Sequence, residues 1–282
     1  MIELTAIVPV HKMAGRLTPL KSWVRNALET GISIVLIHDM SDQETEDELR
    51  QFESRIHSDR FTLVSGIFNG PGAARNEGIQ LVRTSFFCFW DSDDLPNVAN
   101  FVEMVNLGLN KKLEMVIGEY SSKSEKGISE HKFSNSASRN ISKIALNPGI
   151  WRMIFSTKRF QGHIFHNLKL AEDQLFLAEI GFPEVRYELF PKVVYQYEIG
   201  VAGSLTSMKN NFSDLAISVR ALNQLFSKSK AGNRRNFLII LMLRQSITLF
   251  KNRKWGSSVL GLFLTLKCIL RIVTSKISIG KE

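Results

Sequence analysis

Residues 86–90, Phe-Phe-Cys-Phe-Trp, form an apolar run that ends abruptly in Asp91-Ser92-Asp93-Asp94. A strand without polar alternation has to be covered on both faces, which places it inside a parallel sheet flanked by helices. Further apolar, β-rich runs lie at 4–10, 32–37 and 61–64. Between them are helical patterns at 18–30, with Leu20, Trp23, Val24 and Leu28 on one face, at 43–56, and from Gly70-Pro71-Gly72 to about 83. Strands and helices alternating in this way predict a right-handed, doubly wound α/β sheet. Ligands of such sheets bind beyond the carboxyl ends of the strands. The polar residues follow that polarity: His11 and Lys12 come after the first run, His38 and Asp39 after the second, and the three acids after the fourth.

Downstream, residues 97–111 read as a helix and 114–120 as another strand, and the polar stretch 121–142 reads as a loop or irregular hairpin. Mixed structure resumes over 151–199, and the remainder of the chain is helical. With 44% hydrophobic and 22% charged residues, the composition is that of a globular chain with a real core and excludes a disordered one. The formal charge of +9 suggests a nucleic-acid binder until its distribution is considered. The last fifty residues hold ten Lys and Arg against the single acid Glu282, so the excess lies wholly in a tail that is also rich in Leu, Ile, Phe and Val. Such a tail points to an anionic membrane and away from nucleic acid. Cys88 and Cys268 match no metal or redox spacing, and Cys88 reads as a buried thiol. The first residues lack a basic n-region and a cleavable apolar segment, so a cytosolic start is expected.

Three carboxylates within four residues repel one another unless a cation neutralises them, and a hard divalent ion such as Mn²⁺ or Mg²⁺ suits Asp91, Asp93 and Asp94. The alternative is an acidic turn capping the helix after Pro96. Gly72 and the helix start around Arg75 and Asn76 let the backbone approach a ligand and offer positive potential to an anion; an ordinary capped helix is the plainer reading. Glu172-Asp173 opens an apolar helix and, taken alone, reads as favourable charge at a helix N-terminus. His163 and His166 lack a further ligand cluster and read as ordinary histidines. Trp151 fits a core position at least as well as a sugar-stacking one.

The series IVPVHK (7–12), LIHDMSD (36–42), GPGAARNEGI (70–79), FWDSDDLP (89–96) and AEDQLF (171–176) resembles, in order and spacing, the bacterial inverting family 2 glycosyltransferases, over roughly the first 200 residues. The resemblance implies a GT-A fold, Rossmann-like with a mostly parallel central sheet flanked by helices; the basic, apolar tail beyond it reads as a C-terminal helical membrane-associating extension. The resemblance implies a catalytic domain over 1–205, with a nucleotide-sugar-binding half at 1–112 and an acceptor-binding half at 113–205; the residues of 206–282 themselves read as a basic, amphipathic helical region. The resemblance also implies transfer from a nucleotide-diphosphate sugar, a UDP-sugar, to a glycan or lipid-linked acceptor in surface polysaccharide biosynthesis.

Carried over residue by residue, the donor site comprises Pro9, Val10, His11, Asp39, Ser41, Gly72, Arg75, Asn76, Asp91 and Ser92. Asp93, with Asp91 and Asp94, binds the metal. Asp173 is the general base, supported by Glu172. His11 and Lys12 replace the family's usual pair after Pro9 and Val10, while His38, Met40 and Gln43 depart from its second motif. Those departures leave open a catalytically degenerate, membrane-docked binding or scaffold protein. A nucleotidyltransferase is disfavoured, because VHKMAGRLTP (10–19) offers only Gly15 to cradle phosphates.

Asn236 to Phe250 is interrupted by Arg244, and 257–279 by Lys267, Arg271 and Lys276, so neither stretch is expected to span a bilayer. Lys267, Arg271, Thr274, Ser275 and Ser278 recur at helical steps opposite Leu266, Ile269 and Leu270, which predicts an interfacial helix on the cytoplasmic face of the cell membrane. The alternative is a helix packed on the core or on a second subunit.

Overall fold

The computed structural model describes residues 2–40, 42–200, 212–230, 232–252 and 254–279, with side chains as far as residue 270. Its first half runs β1 (Leu4–Val10), α1 (Thr18–Thr30), β2 (Ser33–Asp39), α2 (Gln43–Glu53), β3 (Phe61–Gly66), α3 (Pro71–Leu81) and β4 (Phe86–Phe89). These elements fall where apolar periodicity puts them. β1, β2 and β3 pair in parallel, and β1 also pairs in parallel with β4. All four carboxyl ends therefore open on one edge.

After the two-residue strand β5 (Leu95–Pro96) come α4 (Val98–Asn110), β6 (Met115–Ser124), β7 (Gly127–His131), α5 (Ala137–Leu146), a 3-10 turn at Ile150–Arg152, β8 (Met153–Ser156), α6 (Thr157–Phe160), α7 (Glu172–Glu179) and β9 (Tyr187–Glu198). The sheet order is β3-β2-β1-β4-β8-β6-β9-β5, with β7 paired to β6. β8 runs antiparallel between β4 and β6, and β5 and β7 are antiparallel to their neighbours, so the sheet, expected to be mostly parallel, carries antiparallel strands beyond β4. The reason is local. β8 is buried along its apolar residues, and a strand covered on both faces looks the same in sequence whichever way it runs. The stretch 121–142 holds a regular hairpin and a helix, α5, whose N-cap Ser136 accepts from the Arg139 N–H.

One face of the sheet is filled by Leu4, Ala6, Val8 and Val10 of β1, Ile34 and Leu36 of β2, and Cys88 and Trp90, packed with Leu20, Trp23 and Val24 of α1 and Phe101 of α4. On the other face α3 lies so close to β1 that a Cβ at Gly78 would meet Ile7 Cγ2 at 2.3 Å. That contact fixes how near the helix bearing Arg75 comes to the strand.

The chain divides into two compact units. One comprises Met1–Phe133, Ile150–Asn167 and Arg186–Ser204 and holds the sheet; the other comprises Ser134–Gly149, Leu168–Val185 and Leu205–Glu282. The second is helical, with α5, α7, α8 (Ser213–Lys228), α9 (Asn233–Lys251) and α10 (Trp255–Ile279). Among the described residues no helix is long and apolar enough to cross a membrane. Ser41 and the side chains of Arg271, Thr274, Ser275 and Ser278 lie outside the described residues.

Candidate active site

The loop after β1 is held by α2. The Met13 N–H donates to Thr45 Oγ1 at 2.9 Å and the Gly15 N–H to Glu48 Oε1 at 2.8 Å, while Lys12 and Gly15 take positive φ to make the turn. This sets His11 at the carboxyl end of β1, where its Nδ1 lies 3.7 Å from Asp39 Oδ2 at the end of β2. Burial lowers the His11 pKa, with Asp39 opposing it. Asp39 also accepts the Phe68 N–H at 3.3 Å, which ties the β3–α3 loop to the same edge. Pro9 and Val10 belong to β1 itself, Val10 opposite His38.

The departures from the family pattern have structural explanations. His38 is completely buried, and its Nδ1 lies 2.6 Å from Glu46 Oε2. Glu46 also accepts from Ser65 Oγ and Arg50 Nε. Burial alone would raise the Glu46 carboxyl, but hydrogen bonds from Ser65, His38 and Arg50 outweigh it and hold the carboxyl below its usual range. Met40 is exposed, and Gln43 begins α2 and bonds Asp47.

Helix α3 starts at Gly70, whose φ of 138° suits a residue without a side chain, and Pro71 occupies its first turn. Gly72 is buried within that first turn. Arg75 is buried, with its guanidinium over the rings of Phe165 and Phe89, and donates from Nη2 to Asp91 Oδ1 at 3.0 Å. Asn76 points elsewhere: its Nδ2 donates to the Phe165 carbonyl at 2.9 Å and its Oδ1 accepts the Phe165 N–H at 2.7 Å. The side chain thus pairs with a backbone as a neighbouring strand would.

The acids follow β4 and Trp90. The Asp91 N–H donates to Tyr195 Oη at 2.8 Å, and Ser92 and Asp93 occupy the turn closed by the Asp94 N–H on the Asp91 carbonyl. Burial, then the Asp91 charge, raises the Asp93 pKa, against its own N–H and Arg16. Asp94 is almost fully buried, and its Oδ1 accepts the Glu198 N–H at 2.8 Å. Its Oδ2 is enclosed beside the Tyr195 hydroxyl without a well-formed hydrogen bond. Burial, with Asp91 next, pushes Asp94 up to about 9. Asp93 and Asp94, raised by burial first and by the neighbouring Asp91 charge second, belong to a carboxylate set of the kind a hard divalent cation suits. Among the described residues, however, no group of three or more His, Cys, Asp or Glu is arranged to hold one.

Glu172 and Asp173 open α7 in the helical unit, after Ala171 in the left-handed region with φ 68°. Glu172 is buried, and Asp173 Oδ1 accepts the Gln174 N–H at 2.7 Å. Gln245 of α9 donates to Gln174 at 3.1 Å, which fixes the turn that carries the acids. Trp151 stacks on Tyr195 and Tyr197 and meets Tyr120 edge-on. His163 is half-buried near Phe160, and His166 is exposed.

Residues 5–168 match the model for Glycosyl transferase family 2, well over half of the chain. The chain belongs to that family. Among curated relatives of this family 2 chain, the poly(ribitol-phosphate) beta-N-acetylglucosaminyltransferase TarP of Staphylococcus aureus is 24% identical over 71% of this chain and 63% of its own length. A poly(ribitol-phosphate) beta-glucosyltransferase of Bacillus spizizenii is 21% identical over 62% of this chain and 29% of its own. The family 2 chain therefore spans less than two thirds of either relative.

Among solved structures, S. aureus TarS residues 1–349 in complex with UDP-GlcNAc superposes with a TM-score of 0.72 at 15% identity, covering 94% of this chain and 81% of that one. The mannosyltransferase PcManGT of Pyrobaculum calidifontis, in complex with GDP-Man and Mn²⁺, gives 0.56 at 16% identity over 98% and 79%. These likenesses establish the GT-A type of fold, and the expected family and fold are borne out.

Tyr195, Arg16, Phe89 and Phe165 support the acids and Arg75 but are not singled out by sequence. Tyr195 belongs to a strand about a hundred residues beyond Asp91, and only the three-dimensional pairing brings its hydroxyl there.

Proposed function

We propose that this chain is an inverting glycosyltransferase that moves a sugar from a nucleotide-diphosphate donor, a UDP-sugar, to a glycan or lipid-linked acceptor in bacterial surface polysaccharide biosynthesis. The observation that carries the reading is the arrangement at one sheet edge: His11 and Asp39 beside each other, and Arg75 bonded to the first of three crowded carboxylates. Relatives that act on poly(ribitol-phosphate) and a fold neighbour bound to UDP-GlcNAc support both donor class and acceptor type.

In this reading residues 1–112 bind the donor, 113–205 shape the acceptor side, and 206–282 meet an anionic membrane on its cytoplasmic face. Pro9, His11, Asp39 and Ser41 line the nucleoside with Val10 beneath them in the core, and Gly72 and Arg75 face the donor's negative charge. Asn76 acts by holding the Phe165 backbone. Asp91 and Ser92 contact the ribose side, and Asp93, with Asp91, would hold Mn²⁺ or Mg²⁺ while Asp94 braces the turn through the Glu198 N–H. Such a cation, when bound, neutralises charge on the diphosphate leaving group. Asp173, steadied by Glu172, takes the proton of the acceptor hydroxyl as its oxygen bonds to the anomeric carbon and the carbon–diphosphate bond breaks. A single displacement inverts that centre.

The test is nucleoside diphosphate release from a panel of nucleotide sugars with Mn²⁺, Mg²⁺ or EDTA, for the parent and Asp93→Ala, together with donor binding. Metal-dependent release from a UDP-sugar, lost in the variant, is expected. Failure to bind any nucleotide sugar would overturn the reading.

A further inference from the structure

Helix α10 is packed inside out. The residues it buries, over its described part, are Ser258, Gly261, Thr265 and Cys268, at steps of three and four that put them on one stripe. Ser258 Oγ donates to the Ser246 carbonyl of α9 at 3.0 Å, and Cys268 Sγ lies 3.4 Å from Asn223 Oδ1 of α8. At Gly261 a Cβ would sit 2.4 Å from Ser246 Oγ, so the two helices touch almost backbone to backbone. The large apolar residues lie on the rest of the surface: Trp255, Val259, Leu262, Phe263, Leu266 and Leu270 are exposed, Val259 at 64% and Phe263 at 61%. Phe250 at the end of α9 continues the patch, its ring 4.7 Å from that of Trp255.

A helix packed in water does the opposite, because burying its aliphatic residues is what stabilises the contact. Small residues inward, with hydroxyls and amides as the glue, is how helices associate when the surrounding medium is as apolar as their side chains. Charge indicates which apolar medium. No acid occurs between residues 233 and 281, while Lys251, Lys254 and Lys267 flank or interrupt the apolar surface. A bilayer with anionic head groups supplies both the apolar and the negative phase.

We propose that the outer face of α10 inserts into the acyl-chain region of one leaflet of an anionic membrane, with Lys251, Lys254 and Lys267 at the head groups. The proposal rests on the reading of the helical tail as the membrane-facing part and deepens it: apolar insertion holds the protein, and charge assists.

The test uses the full chain with phosphatidylcholine vesicles, with or without phosphatidylglycerol, in flotation assays. Binding to the phosphatidylglycerol vesicles is expected to persist at about 0.5 M salt, where charge attraction is screened over a few ångströms. Phe263→Glu combined with Leu266→Glu should weaken it by about tenfold or more. Brominated lipids should quench a fluorescence component that Trp255→Phe removes. UDP-sugar binding in solution, measured on the same variants, is expected to stay at the parental level, so that loss of membrane binding and failure of the transferase reading are told apart. Unaltered far-ultraviolet dichroism checks that the variants are folded. The proposal is overturned if the chain does not float, if salt alone releases it with the double variant binding like the parent, or if the double variant instead dissolves an oligomer, which would make a second copy the occupant.

Discussion

Replacing Gly78 by Ala tests whether the approach of α3 to β1 sets the position of Arg75. The new methyl would lie 2.3 Å from Ile7 Cγ2, 3.2 Å from Cγ1 and 3.3 Å from Cβ, against an ordinary carbon–carbon contact of about 3.5–4.0 Å. Ile7 is fully buried on a central, β-branched strand position, so it has nowhere to turn and α3 must retreat by more than about 1 Å. Overpacking of this severity belongs at the upper end of the usual range, about 3 kcal/mol. Alanine's better helix propensity returns about 1 kcal/mol, leaving a net loss of about 2 kcal/mol. Urea titration should show a lower midpoint with an unchanged slope. Donor affinity should fall as well, because Arg75 lies one turn back on the same face of α3. The cost should shrink when Ile7→Ala has already removed the opposing methyls, a coupling that a double-mutant cycle reads directly. A Gly78→Ala protein as stable as the parent, or more so, would refute the reasoning, since helix propensity would then be the whole effect.

Tyr195→Phe takes the acceptor from the part-buried Asp91 N–H and should cost about 1 kcal/mol of stability in thermal or urea melts, with weaker donor binding. Asp173→Asn keeps an acceptor for the Gln174 N–H but removes the proposed base, so sugar transfer should drop by about 10²–10⁴-fold at the level of kcat while UDP-sugar affinity in titrations stays put. The Glu46 carboxyl is held below its ordinary range in the folded state, so its contribution is present above the unfolded pKa and is lost as pH falls through the folded one. Glu46→Gln should therefore lower stability near neutrality and flatten its decline on the acid side, as followed by denaturation between about pH 7 and pH 3. Arg75→Lys loses the planar group lying over Phe165 and Phe89, and nucleotide-sugar titration should show affinity reduced by about tenfold or more.

The first hundred residues were legible because each element there carries its own signal. Leu20, Trp23 and Val24 mark one face of α1, Pro71 marks the start of α3, and the unbroken run into Trp90 marks a central strand. The direction of β8 was not, because Met153, Ile154 and Phe155 are buried and carry no polar alternation to report a partner. α5 was hidden for a different reason: its Ser, Lys and Asn residues read as loop, and its apolar face, Ile141, Ile144 and Ala145, is short. At the site, the acids and Arg75 announce themselves by type and spacing. Tyr195, which receives the Asp91 N–H, does so only through strand pairing. For α10 the apolar and basic content was visible, but which residues turn inward was not, because Ser258, Gly261, Thr265 and Cys268 are small rather than greasy.

The two hydrogen bonds between Asn76 and the Phe165 backbone, one given and one accepted, separate two demands on the same stretch of chain. They grip main-chain atoms, which every amino acid has, so the clasp itself makes no demand on which side chains stand at Ile164 and His166 on either side. Phe165 itself lies against the Arg75 guanidinium, and its backbone is held from the next residue of the same helix. Substitutions on either side of the clasp can thus leave the bond between Arg75 and Asp91 in place.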